Sequence, residues 1–156
     1  MPLANITSAI KTTLEAVSGI GIVTPYEPLV RREEDFKRFF VNPTVGKVRG
    51  WTITREASPE TVRNQARVND RRHNMVIRGY EAIGADAATE PAFQDLAETV
   101  CDALRVKHND QLNSTVREVG PPSVRLCEPR NFPGAADGFL VHYVEILFPV
   151  IEDKVF

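Results

Sequence analysis

Apolar residues near the start of the chain recur every three or four positions, at Leu3, Ile6, Ile10, Leu14 and Val17. This spacing puts them on one side of a helix, so it predicts an amphipathic helix of about four turns. We expect the helix to end at Gly19, because glycine readily adopts the left-handed conformation that closes helices. A short strand over residues 20–23 should follow.

Further along the chain the pattern changes to an alternation of period two. It predicts one strand over residues 45–56 and a second over about 72–82. The residues between them are almost entirely polar, so we expect a long polar hairpin loop at about 56–72. Polar loops carried on a sheet are common binding sites. The candidate interface residues are the arginines of this loop: Arg63, Arg67, Arg71 and Arg72.

A second long helix is predicted after Thr89, which can cap its N-terminus. Acidic residues occupy the outer face of this helix. A short helix is expected over residues 33–41, and further strands are expected over 124–127 and 139–151. The apolar face of the long helix comprises Phe93, Leu96, Ala97, Val100 and Leu104.

This order of elements predicts a single α+β domain over residues 1–156. We expect two layers: a mainly antiparallel sheet of four to five strands, with the two long helices packed on one face. No repeat or linker divides the chain.

Charge is unevenly distributed along the chain. The formal net charge is −2, which excludes a strongly basic nucleic-acid binder. Residues 31–78 nevertheless contain 12 basic and 6 acidic residues, and the rest of the chain is acidic. Regions of opposite sign in a small domain favour head-to-tail self-association. The longest apolar run, residues 146–151, is too short to cross a membrane, which needs about 20 residues.

Candidate catalytic groups are isolated in the sequence. No pattern typical of a nucleotide-binding loop, a hydrolase nucleophile or a metal site is present, so we expect no catalytic residue, cofactor or metal and interpret the chain as a non-enzyme. A Cys101–His142 pair is the nearest approach to a nucleophilic site. Trp51 and Tyr80, on neighbouring predicted strands, could form a ligand platform, although core packing is the commoner use of such aromatics.

The chain resembles the tail terminator proteins, also called tail-completion or head–tail joining proteins, of long-tailed bacteriophages and tail-like particles. The resemblance rests on the order of three stretches: the N-terminal helix running into residues 17–23; residues 50–55, a polar loop and then residues 73–80; and residues 89–96, which open the long helix, followed by a final strand. It implies a homo-oligomeric ring, commonly a hexamer, that caps the tail tube and stops its polymerisation. Implied partners are the tail tube protein and a head-side connector or neck protein, with DNA only passing through the ring lumen. The implied location is the virion tail or neck, after assembly in the host cytoplasm.

Other functions remain open from the residues alone. A head–tail adaptor or neck protein of the same machinery would have a similar size and a similar need for interfaces. A small cytosolic enzyme or ligand-binding domain would use the region of Trp51 and Tyr80. A nucleic-acid binder would use the four arginines, but their loop lacks the aromatic residues on which single-stranded bases stack.

Overall fold

The computed structural model of the chain describes residues 3–28, 30, 32–42, 47–63, 67–83, 89–132 and 139–156. The helices are α1 (Leu3–Glu15), α2 (Glu33–Phe40), α3 (Thr89–Val106) and the single turn α4 (Gln111–Ser114). The strands are β1 (Ile22–Thr24), β2 (Val41–Asn42), β3 (Lys47–Ala57), β4 (Glu60–Val62), β5 (Val68–Ala82), β6 (Glu118–Val119), β7 (Ser123–Asn131) and β8 (Leu140–Val155).

All eight of these strands belong to one sheet with the order β1–β3–β5–β8–β6. β2 also pairs with β3, β4 with β5, and β7 with β8. β1 runs parallel to β3, while the other pairs are antiparallel. The α+β class is confirmed, but the sheet is larger than the predicted four to five strands, and it is mixed. Strands of two or three residues, such as β2, β4 and β6, are too short to show a period in the sequence.

One face of the sheet carries α1 and α3, as the sequence predicts. We call it the helix face. Ile6 and Ile10 of α1 and Val100 and Leu104 of α3 join one buried cluster with the sheet, while Leu96 packs at its edge and is only partly buried. The sheet contributes alternate residues to this cluster, among them Trp51, Ile53, Met75, Ile77, Val144, Ile146 and Phe148.

The opposite side of the sheet, which we call the second face, is covered differently. Phe36 and Phe40 of α2 pack there in a separate cluster with aromatic residues of the sheet and its flanking segments. The third phenylalanine of α2, Phe39, is partly exposed. The prediction of two layers therefore misses a smaller third layer. The apolar spacing of α2 predicts a helix, but it does not show on which face of the sheet that helix packs. The aromatic partners of α2 in the cluster are Tyr80, Phe132, Phe139 and Tyr143.

The prediction of a loop at 56–72 is wrong over most of its described length. β3 continues to Ala57, β4 occupies Glu60–Val62, and β5 begins at Val68 instead of near residue 72. Residues 64–66 lie outside the described part of the chain. Apolar periodicity does not reveal this part of β5, because five of its first six residues are polar or charged. One of them, Arg71, lies opposite Glu152.

Candidate interaction surface

β5 and β8 extend past the end of their neighbour β3 and form a projection that we call the arm. β3 ends at Ala57, whose partner on β5 is Asn74. The arm consists of β4 with the adjoining Arg63, residues 67–73 at the start of β5, and residues 150–156 at the end of β8. At about 3.3 Å per residue, six residues of β5 extend about 20 Å past the end of β3, alongside β4. Because β5 pairs with β4 on one edge and β8 on the other, the arm is a hydrogen-bonded sheet segment.

Two carboxylates lie directly opposite each other on the arm, Asp70 on β5 and Asp153 on β8. Arg63 bridges them, with its Nε 2.9 Å from Asp70 Oδ1 and its Nη2 2.6 Å from Asp153 Oδ1. Arg117 bridges them a second time, with nitrogen–oxygen distances of 3.0 Å to Asp70 and 2.9 Å to Asp153. Hydrogen bonds to Asp70 and then Asp153 raise the pKa of Arg63. Each carboxylate is thus neutralised within the subunit.

A buried histidine–glutamate pair lies at the base of the arm, on the helix face. His73 Nε2 and Glu152 Oε1 are 2.9 Å apart, and both side chains are almost fully buried. Arg71 approaches the same Glu152 oxygen at 3.9 Å, and Arg55 Nη1 lies 3.4 Å from His73 Nδ1. Burial alone would raise the pKa of Glu152, but hydrogen bonds, including the one with His73, hold it below its ordinary value. These contacts join β5 to β8 at the base of the arm.

The remaining arginines of the arm contact no acid of the described chain. Arg67 is exposed. Arg72 is also exposed, and among the described residues its guanidinium donates a hydrogen bond only to Asn74, with 3.0 Å between Nε and the amide Oδ1. Exposed apolar side chains lie at the tip: Val155 is 71% exposed and Phe156 70%. The tip therefore combines unpaired positive charge with accessible apolar area, as protein interfaces do.

The arm brings together all four arginines that the sequence singled out, but in two roles. Arg63 and Arg71 contact carboxylates of their own subunit, whereas Arg67 and Arg72 remain available. Sequence reasoning missed Arg117 and the acids of β8. The signal that could have found them is the run of charges at the end of the chain, at residues 152–154.

Trp51 and Tyr80 do not form a shared platform. Both are fully buried, and they belong to different clusters on opposite faces of the sheet. Tyr80 donates its hydroxyl to Glu27 Oε1 at 2.6 Å, and burial followed by the charge of Glu27 raises its pKa. The ligand-platform hypothesis for this pair is therefore wrong.

Cys101 and His142 have contacts typical of structural residues. Burial, followed by the charge of Glu98, raises the pKa of the Cys101 thiol to about 11, which opposes the thiolate form that a nucleophile needs. His142 stacks on Phe93, and its Nε2 lies 2.7 Å from the hydroxyl of Thr89.

Neither a family model nor a curated protein matches the chain. Within the described residues, no three His, Cys, Asp or Glu side chains are grouped so that they could hold a metal ion. None of the described helices is long and apolar enough to cross a membrane.

Proposed function

We propose that the chain is the subunit of a tail terminator ring in a long-tailed bacteriophage or tail-like particle. The observation that supports this function is the arm, a strand-paired projection with two unpaired arginines and an exposed apolar tip. A ring subunit must offer its neighbours a surface that its own fold leaves unsatisfied. Arg67, Arg72 and the tip offer one.

In this function the protein works by assembly and not by catalysis. Subunits form a ring, a hexamer by analogy with the family it resembles, on the last layer of the tail tube. Occupying the end of the tube blocks addition of further tube protein, and the outer side of the ring binds a head-side connector or neck protein. DNA only passes through the lumen. The protein is assembled in the host cytoplasm and remains in the virion.

Deletion of the gene, followed by electron microscopy of the particles, tests this function. Loss of a terminator should give tails of uncontrolled length, whereas loss of a neck protein should give tails of normal length that fail to join heads. Normal, joined tails after deletion would refute both structural functions.

A finer test uses the two unpaired arginines. Arg67→Glu combined with Arg72→Glu should leave the fold intact and abolish complementation of the deletion. Lys37→Glu combined with Arg38→Glu is a matched control, because it reverses two exposed charges on α2, away from the arm. Full complementation by the arm variant would show that the proposed function does not require the arm.

A further inference from the structure

The outer face of α3 is acidic and has an apolar end. Asp95, Glu98 and Asp102 are exposed at helical spacing, and Val106, one turn further on, is 64% exposed. Asp102 pairs with Arg105 of the same helix. Asp95 and Glu98 have no basic partner within the described part of the chain. Their charge is therefore available to another molecule.

A groove opens on the second face beside the arm. Its volume is about 500 Å³, and its apolar lining includes Pro121, Leu147 and Pro149. Side chains alternate along strands, so Leu147 and Pro149 lie on the second face, while the buried helix-face residues Met75 and Phe148 border the bottom of the groove. The groove is therefore accessible from the side of the sheet that α1 and α3 leave uncovered.

The rim of this groove carries an arginine without an acidic partner among the described residues. Arg72 lies on it beside Asn74, and its guanidinium contacts no acid of the described chain. The acid on the rim, Glu56, is already paired with Arg125 at 3.2 Å. Apolar lining with a cationic rim suits an apolar side chain that is accompanied by carboxylates.

We infer that this groove and the adjoining arm bind α3 of a second copy of this chain. Val106 enters the groove next to Arg72, and the acids of α3 extend along the arm towards Arg67. The 11 helical steps from Asp95 to Val106 span about 16 Å. Arg67 lies in the left-handed turn that precedes β5, at the opposite end of the arm from Arg72, so the helix passes from one cation towards the other. We identify the occupant as a second copy because one molecule carries both the unpaired arginines of the arm and the unpaired acids of α3, which have opposite charge.

The two surfaces lie on opposite faces of the same sheet. α3 packs on the helix face, whereas Arg72, Leu147 and Pro149 belong to the second face. In the inferred assembly each subunit uses its α3 for one neighbour and its groove for the other, and such a heterologous contact either closes into a ring or continues as a filament. This inference rests on the proposed ring function and gives that ring its subunit interface.

Charge reversal on each side of the contact, alone and in mixture, tests the inference. The arm variant is Arg67→Glu with Arg72→Glu, and the helix variant is Asp95→Lys with Glu98→Lys. Sedimentation velocity of the full chain in low-salt buffer gives the association constant of each. We expect each variant alone to associate at least tenfold more weakly than the parent, because like charges then face each other.

An equimolar mixture of the two variants should regain association. In alternating subunits, the introduced glutamates of the arm variant face the introduced lysines of the helix variant. The next contact joins the native arm of the helix variant to the native α3 of the arm variant. Recovery in the mixture would therefore identify the two surfaces as partners, which loss of association in either variant alone does not.

The control is Lys37→Glu with Arg38→Glu, which changes the net charge as the arm variant does and should associate like the parent. Association unchanged in both test variants, a mixture that stays dissociated, or a parent that is monomeric at the highest concentration would each overturn the inferred interface. The proposed function is tested separately by tail length in the deletion strain. An arm variant that self-associates normally but still fails in particles would overturn the inferred interface and show that the arm binds the tube instead.

Discussion

The strands β5 and β8 are joined by different chemistry in the two halves of their length. In the body of the sheet, Ile77 lies opposite Ile146, and both are fully buried beneath the helices. In the arm, Asp70 lies opposite Asp153, and two arginines bridge them in partly exposed positions. The backbone ladder is continuous through both halves.

The two halves differ in what they contribute: the body provides most of the folding stability, and the arm provides side chains that a partner can contact. Burying apolar area contributes most of the free energy of folding, and most of that area lies in the body. Exposed ion pairs contribute little to stability, yet they hold side chains in place. The arm can therefore accept changes of charge that alter association while the body keeps the subunit folded.

The largest effect is expected in the body. Ile77→Ala should lower the free energy of unfolding by about 2–5 kcal/mol, because it removes buried methyl groups and leaves a cavity. Urea denaturation measures it. Val155→Ala in the arm is the matched control and should change the unfolding free energy by less than about 0.5 kcal/mol, since Val155 is exposed. Equal effects of the two substitutions would contradict the proposed difference in stability between the body and the arm.

An intermediate effect is expected where the arm meets the body. Glu152→Gln removes the charge from a buried hydrogen bond and should cost about 1–3 kcal/mol at neutral pH. Because the folded-state pKa of Glu152 is lowered, its stabilisation is present above the ordinary pKa of 4.5 and is lost as pH falls through the folded value.

The pH dependence provides the check on Glu152. Burial also acts on Glu145, but hydrogen bonds from Tyr143 and Arg125 lower its pKa overall, so parent stability decreases in acid for more than one reason. The difference between the parent and Glu152→Gln is therefore the quantity to measure, by denaturation from neutral pH into acid. A difference that does not shrink below the ordinary pKa of 4.5 would show that the carboxylate charge is not what stabilises the arm base.

The smallest effect on stability is expected in the exposed network. Arg63→Ala should leave the Tm unchanged within error, because Arg117 still bridges Asp70 and Asp153. Removing both Arg63 and Arg117 would leave the two carboxylates facing each other, and the Tm of that double variant should fall as salt is lowered. Thermal melts at two ionic strengths measure both. A large fall in Tm from Arg63→Ala alone, equal at both ionic strengths, would show that this network contributes to stability as a buried contact does.

The sequence predicts the body of the fold well, because its signal is apolar periodicity. α3 begins at the predicted cap Thr89, and the alternation through Val144, Ile146 and Phe148 identifies the buried side of β8. The arm gives no such signal. Its strands are held by charges whose partners are far apart in the chain, so a local pattern cannot distinguish a paired strand from a polar loop.

The arginines of the arm illustrate the same limit of local pattern. The sequence identifies four clustered arginines, but whether each is free depends on distant carboxylates. Arg71 has Glu152 directly opposite, and Arg63 reaches Asp153. Arg67 and Arg72 contact no acid among the described residues. Pairing across the sheet, and not local composition, decides which charges can bind a partner.

The long pairing of β5 with β8, which runs from Val68 to Ala82 on β5, also has a mechanical consequence. When two antiparallel strands are pulled along their length in opposite directions, their hydrogen bonds bear the load together, whereas strands peeled from one end lose bonds one at a time. The arm and the body lie at opposite ends of this ladder. Tension applied between the arm and the far end of the subunit would therefore be carried in shear by the longest strand pairing in the described structure.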